Sequence, residues 1–120
     1  MIRTRAYNII GILALLLFTA CGQRYQAKNL VKDFVKEHAV EELDITSFSD
    51  LDSTKVIGDS LFQAMQQNAA KDPLFKQVDF SGQKATSPLL YIRMRYQEDT
   101  LELSKTFYFD KDLSAVVAFK

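Results

Sequence analysis

The stretch 89-LLYIRMRYQEDTLELSKTFYFDKDLSAVVAF-119 decides the fold, because it reads as three strands joined by two turns. Leu90, Ile92, Met94 and Tyr96 alternate with Leu89, Tyr91, Arg93 and Arg95, the period-two pattern of a strand with one apolar face. Glu98-Asp99 follows as a turn, and Leu101, Leu103, Lys105, Phe107 and Phe109 resume the alternation. A two-residue loop there sets Tyr96 opposite Leu101, Met94 opposite Leu103, Ile92 opposite Lys105 and Leu90 opposite Phe107, which keeps one apolar face across the turn. On the other face this register pairs Arg95 with Glu102 and Tyr91 with Thr106. Lys105 falls on the apolar side, where its ammonium is expected to snorkel to an edge. Asp110-Lys111-Asp112 reads as a three-residue loop that sets Phe109 against Leu113, Phe107 against Ala115 and Leu103 against Phe119.

Upstream, Ala27, Leu30, Val31, Phe34, Val35, His38 and Ala39 recur at three- and four-residue spacings, the signature of one buried helical face. Lys28, Lys32, Asp33, Lys36 and Glu37 fall on the opposite side, and the spacing predicts a helix from Arg24 to His38. A helix of that length is marginal in water alone and needs a sheet to pack on. From Glu42 to Asp52 the pattern alternates loosely, with Leu43 and Ile45 on one parity and Phe48 off by one, which predicts a strand carrying a bulge. Ser60 and Gln63 have capping-box spacing, so a second helix is expected from Asp59, or from as early as Ser53. Asp72-Pro73 ends it. The fold class expected is α+β: an N-terminal helix and a second helix packed on a roughly four-stranded antiparallel sheet that ends in a three-stranded meander.

The first twenty residues stand outside that fold. Arg3 and Arg5 form a basic lead, and Ile9 to Phe18 is an uncharged, mostly apolar run ending in Thr19-Ala20-Cys21, the layout of a secretory signal. Twelve helical residues from Ile9 to Ala20 span roughly 18 Å, against a hydrocarbon core of about 30 Å, so a permanent transmembrane anchor is the weaker reading. Phe18-Thr19-Ala20-Cys21 resembles the lipobox of bacterial lipoproteins, with Phe18 where that family usually has Leu. The resemblance implies cleavage before Cys21 and lipidation of its sulfur with a diacylglycerol. An ordinary signal peptide followed by a free thiol is the alternative. Cys21 is the only cysteine and has no partner for an intrachain disulfide, which favours lipidation. The domain plan is then a signal over 1–20, a lipidated tether over 21–26 and a single α+β domain over 27–120.

Composition excludes more than it specifies. The chain carries fifteen basic and fifteen acidic residues, and the leader holds two of the former and none of the latter. The remainder is therefore slightly acidic, which argues against a nucleic-acid partner. The four glycines are too scattered for a phosphate loop, no Gly-x-Ser-x-Gly elbow is present, and His38 is the sole histidine. Its placement at a helix end suits a charge facing the C-terminal dipole better than a general base. One histidine and scattered carboxylates give no metal-ligand spacing, and Asp50-x-Asp52 and Asp110-x-Asp112 lack the remaining ligands of a calcium loop. No cofactor, metal or catalytic group is expected, and the chain reads as a non-enzyme.

The outward face of the meander is the candidate interaction surface. Tyr91, Arg93 and Arg95, with Glu102 and Tyr108 on the neighbouring strand, have the aromatic and charged composition of protein interfaces. The plainer readings are cross-strand pairing on a solvated face, or burial under the segment from Asp72 to Ser87. An open sheet edge is a second route to a partner. The order of elements resembles cystatin-like and NTF2-like scaffolds in gross outline, without the Gln-x-Val-x-Gly loop of the inhibitors. The segments Asp52-Ser53-Thr54, Asp59-Ser60 and Thr106 to Asp110 resemble those of small Gram-negative lipoproteins. That resemblance implies an envelope location and transfers no activity. The expected function is a lipid-anchored, non-catalytic binding or accessory module with an envelope protein as partner. Gly22, Gln23 and Arg24 after the lipidated cysteine favour the outer membrane, with the domain facing the periplasm. The alternative is a small-ligand carrier or inhibitor with a pocket between Phe34, Phe62, Met65 and the concave sheet.

Overall fold

The computed structural model describes residues 22–54, 57–76, 78–80, 83–86 and 88–120. The leader and Cys21 lie outside the described residues. Helix α1 is described over residues 22–38, followed by β1 (Asp44–Phe48), β2 (Asp52–Thr54), helix α2 (Asp59–Ala70), β3 (Leu89–Glu98), β4 (Leu101–Phe109) and β5 (Val116–Phe119). The five strands form one antiparallel sheet in the order β1-β3-β4-β5, with β2 pairing with β3 as well. Because β1 and β2 occupy successive stretches of β3, they act as one edge strand broken at residues 49–51, and the sheet is four strands wide. The fold is α+β, and its C-terminal part is the expected β3-β4-β5 meander.

Both hairpins keep the expected faces and shift the expected register. Tyr96 lies opposite Leu103, Met94 opposite Lys105, Ile92 opposite Phe107 and Leu90 opposite Phe109. The turn is Asp99-Thr100, with Asp99 at φ 56°, a conformation that Asp tolerates better than most residues. The shift is by two residues, so every side chain stays on its own face; a slip by one would have inverted the sheet. In the second hairpin Phe119 faces Phe107 and Ala118 faces Tyr108, with a bulge before Phe109. Its connection is therefore longer than the three residues Asp110-Lys111-Asp112. Leu113 sits there at φ 53° yet is only 3% exposed, so burial of its side chain outweighs the backbone strain.

Asp110 holds that connection. Its carboxylate accepts hydrogen bonds from the Ser114 hydroxyl, the Ser114 N–H and the Ala115 N–H. Burial pushes the carboxyl up, but the Ser114 hydroxyl and the backbone N–H groups outweigh it and hold it below its ordinary value of 3.8. A carboxylate with a lowered folded-state value stabilises the fold fully above its unfolded value, and that contribution disappears as pH falls through the lower folded one. Asp110→Asn is expected to cost about 1 kcal/mol at pH 7. The gap between variant and parent in urea unfolding should narrow as pH is taken from 6 to below the ordinary value, about 4.

The even-numbered face of β3 carries the main core. Ile92, Met94, Phe107, Phe109 and Phe119 are at most 1% exposed there, and Ala27, Val31 and Val35 of α1 pack on them. Phe34 sits 5.7 Å from the Phe119 ring and 5.8 Å from Phe107, both edge-on. Phe75, Val78 and Phe80 complete this core from the segment between α2 and β3, with Phe75 stacked 4.8 Å edge-on to Phe119. Helical periodicity foretells α1, but nothing periodic marks these three. The Lys105 ammonium, at the side of an open cleft, hydrogen-bonds Asp72 and lies 5.9 Å over the Phe119 ring.

Residues 22–26, expected as a tether, are the first turn of α1. Arg24 donates to the Phe48 and Ser49 carbonyls at 3.1 and 3.2 Å, and Gln26 donates to the Leu113 carbonyl at 3.0 Å, so this turn is fastened to the sheet on both flanks. The bulge foreseen near Phe48 falls between Ile45 and Ser47. Lys28 and Lys32 stand 5.6 and 6.0 Å over the Phe48 ring, which covers the β1 edge. Helix α2 starts at Asp59 with Gly58 as its N-cap and without a side-chain cap, so the Ser60/Gln63 box is not used. It caps the β5 edge, where Gln66 donates to the Val117 carbonyl at 3.1 Å. Phe62 and Met65 point into a second, smaller core with Leu89, Tyr108, Val117 and Ala118, and Ala69 reaches the main one.

Candidate functional site

The odd-numbered face of β3 is where chemistry-bearing side chains gather. Alternation places Tyr91, Arg93 and Arg95 on it, and the observed register brings Tyr108 opposite Tyr91, with ring centroids 5.9 Å apart. Tyr108 is buried at 7% exposure, while Tyr91 is half-buried and its hydroxyl donates to Asp52 at 3.4 Å. Arg93 pairs across the strands with Thr106, and Thr106 exchanges two backbone hydrogen bonds of 2.9 Å with Lys120. Arg93, Thr106 and Lys120 therefore form one row across the sheet. Arg95 forms the next with Ser104 on one side and Ser47 on the other.

Charge pairing on this face differs from expectation for a simple geometric reason. The two-residue shift puts Glu102 opposite Gln97, in a row with Asp44, and leaves Arg95 opposite Ser104. The anticipated Arg95–Glu102 and Tyr91–Thr106 pairs are absent. Among the described residues, Arg93, Arg95 and Lys120 form no ion pair, whereas Arg24 pairs with Asp50 and Lys105 with Asp72. Of the segment after α2, Phe75, Val78 and Phe80 turn into the main core and Ala85 packs against the smaller cluster beside Tyr91, while Arg93 and Arg95 stay exposed.

A groove of about 460 Å³ opens beside the tyrosines. Tyr91, Arg93, Thr106 and Lys120 form its floor, and Ile57, Leu61 and Met65 form an apolar wall. Leu61 is 57% exposed. Lys120, Thr106 and Leu61 were not legible as site residues, because their proximity to Arg93 depends on the register and on α2 lying along the β5 edge.

Other sites are less promising chemically. A cleft of about 580 Å³ runs beside Glu41, Glu42, Asp44, Glu98 and Asp99; its cation, Lys105, is held by Asp72. Burial, then the charges of Glu98 and Asp72, push the Tyr96 hydroxyl there above its ordinary value. His38 is half-buried, with its ring 4.6 Å from Phe34 and Glu37 at 3.8 Å. Phe34 belongs to the main core while Phe62 and Met65 belong to the other, so these three do not line one pocket. Among the described residues no cluster of His, Cys, Asp and Glu could hold a metal ion, and no helix is long and apolar enough to cross a membrane.

Fold and surface together define an α+β scaffold with one cationic, aromatic-rimmed sheet face. No family model, curated protein or solved structure matches the chain.

Proposed function

We propose that this chain is a lipid-anchored, non-catalytic binding or accessory module of the bacterial cell envelope, docking a partner protein on the odd-numbered face of β3. The observation that carries the docking surface is the unpaired run of Arg93, Arg95 and Lys120 beside Tyr91, Tyr108 and the exposed Leu61. Aromatic and arginine side chains concentrate binding energy at interfaces, and unpaired cations add steering toward an acidic surface. The anchor rests on the leader and on the Phe18-Thr19-Ala20-Cys21 motif. Because residues 22–26 are helical and pinned to the sheet, a lipid on Cys21 would hold the domain close against the bilayer. The non-acidic Gly22, Gln23 and Arg24 after the cysteine favour the outer membrane, with the domain facing the periplasm. Stable anchoring takes more than one acyl chain, which a diacylglycerol supplies.

The test is co-purification from native membranes of the tagged full chain and of Arg93→Ala and Tyr91→Ala. Both residues lie outside the main core, so the variants should fold. Loss of the same membrane protein from both is expected, with about a tenfold or greater drop in recovery for Arg93→Ala. Unchanged recovery would remove this face from the proposal.

A further inference from the structure

The spacing of the cations defines the chemistry of the segment that docks. We propose that the face takes an extended acidic stretch of the partner with the pattern aliphatic-x-acid-x-acid, aligned with β3. This deepens the docking reading above and rests on it. Tyr91, Arg93 and Arg95 succeed one another on one face of one strand, so their side chains stand about 6.8 Å apart. Alternate residues of an extended peptide repeat at the same distance, so two carboxylates separated by one residue meet Arg93 and Arg95 in step. The aliphatic residue two positions further reaches Tyr91, where Ile57, Leu61 and Met65 make the apolar wall.

Charge argues for the same occupant. Lys120 lies in the Arg93 row, two strands or roughly 10 Å away, and its side chain lines the same groove as Arg93. Hydroxyls of Thr106, Ser104 and Ser47 share the two rows and can donate to carboxylate oxygens. Carboxylates border the run without neutralising it: Asp52 accepts from the Tyr91 hydroxyl, and Asp44 and Glu102 lie one row beyond Arg95. They limit the match to two acids, since a third would meet Asp44 and Glu102. Arg95 lies one step along β3 beyond the lining of the groove, so the sites extend past it, which favours a segment of chain over a compact solute.

The experiment uses the full chain in phosphatidylcholine nanodiscs. Its probes are fluorescein-labelled peptides reading Leu-Thr-Glu-Thr-Glu and the reverse, Glu-Thr-Glu-Thr-Leu, with Gln-for-Glu versions as controls. Saturable anisotropy is expected for one direction. Binding should weaken about tenfold in the Gln version and in Arg93→Gln or Arg95→Gln. It should weaken again when salt rises from about 0.05 to 0.5 M, and less steeply in Leu61→Ser. Failure of both directions to saturate, equal binding of the Gln peptides, or indifference to both arginine substitutions would overturn the pattern. If the peptides fail while co-purification still depends on Arg93, the acidic pattern is wrong and the docking face stands; if co-purification is also indifferent, the face itself is wrong.

Discussion

Phe107→Ala is expected to lower the unfolding free energy by about 4 kcal/mol. Phe107 is fully buried in the C-terminal half of β4. Its ring is met by Phe34 of α1 at 5.8 Å, Phe119 of β5 at 5.6 Å and Phe75 at 6.4 Å. Those neighbours come from α1, from β5 and from the segment after α2, each held by other contacts, so no single movement closes the void. A cavity that cannot collapse adds its cost to the lost transfer free energy. Against a total stability of about 5 to 15 kcal/mol for a domain, the variant would be close to unfolding. Leu101→Ala is the control, since Leu101 is 64% exposed and should change stability by less than about 0.5 kcal/mol. Urea unfolding followed by circular dichroism measures both; a loss under about 1.5 kcal/mol for Phe107→Ala would mean that the aromatic cluster is not the keystone described.

The second large effect concerns the ion pair beneath the acidic cleft. The Lys105 and Asp72 side chains are 20% and 14% exposed, and the ammonium of one hydrogen-bonds the carboxylate of the other. Asp72 also fastens the exit of α2: its carboxylate accepts from the Leu74 N–H at 3.0 Å, and its own N–H donates to the Ala69 carbonyl at 3.2 Å. Lys105→Met keeps the aliphatic stem against Phe119 but leaves a largely buried carboxylate without its counterion. A loss of about 3 kcal/mol is expected, from the stranded charge rather than from the missing attraction. Adding Asp72→Asn removes that charge and keeps an oxygen for the Leu74 N–H. The double variant should therefore return to within about 1 kcal/mol of the parent. Additive losses in the double variant would show that the two side chains act independently.

The faces of the sheet were legible in the sequence and its registers were not, for one physical reason. Alternation fixes which side a residue takes, and burial of Ile92, Met94 and Phe107 enforces it. Turn placement is a weaker signal, since Glu98-Asp99 and Asp99-Thr100 are both acceptable and differ by a parity-preserving step of two. That step separated Arg95 from Glu102 and put Tyr108 beside Tyr91. The candidate surface was therefore legible as composition, in Tyr91, Arg93, Arg95 and Tyr108, while its unpaired charge became visible only with the register. Helix α1 was legible from its apolar stripe. Phe75, Val78 and Phe80 were not, because irregular backbone carries core residues without a period. The sequence also gave no sign that α2 would straddle the β5 edge, since its apolar stripe fits either face.

The proposed docking of an acidic partner on a membrane-anchored domain requires the anchor before anything else. Intact mass of the chain recovered from envelope membranes should match residues 21–120 plus a diacylglycerol, with or without a further acyl group, and Cys21→Ser should abolish that species. A mature chain with a bare thiol, or an uncut chain recovered from the cytosol, would contradict the account.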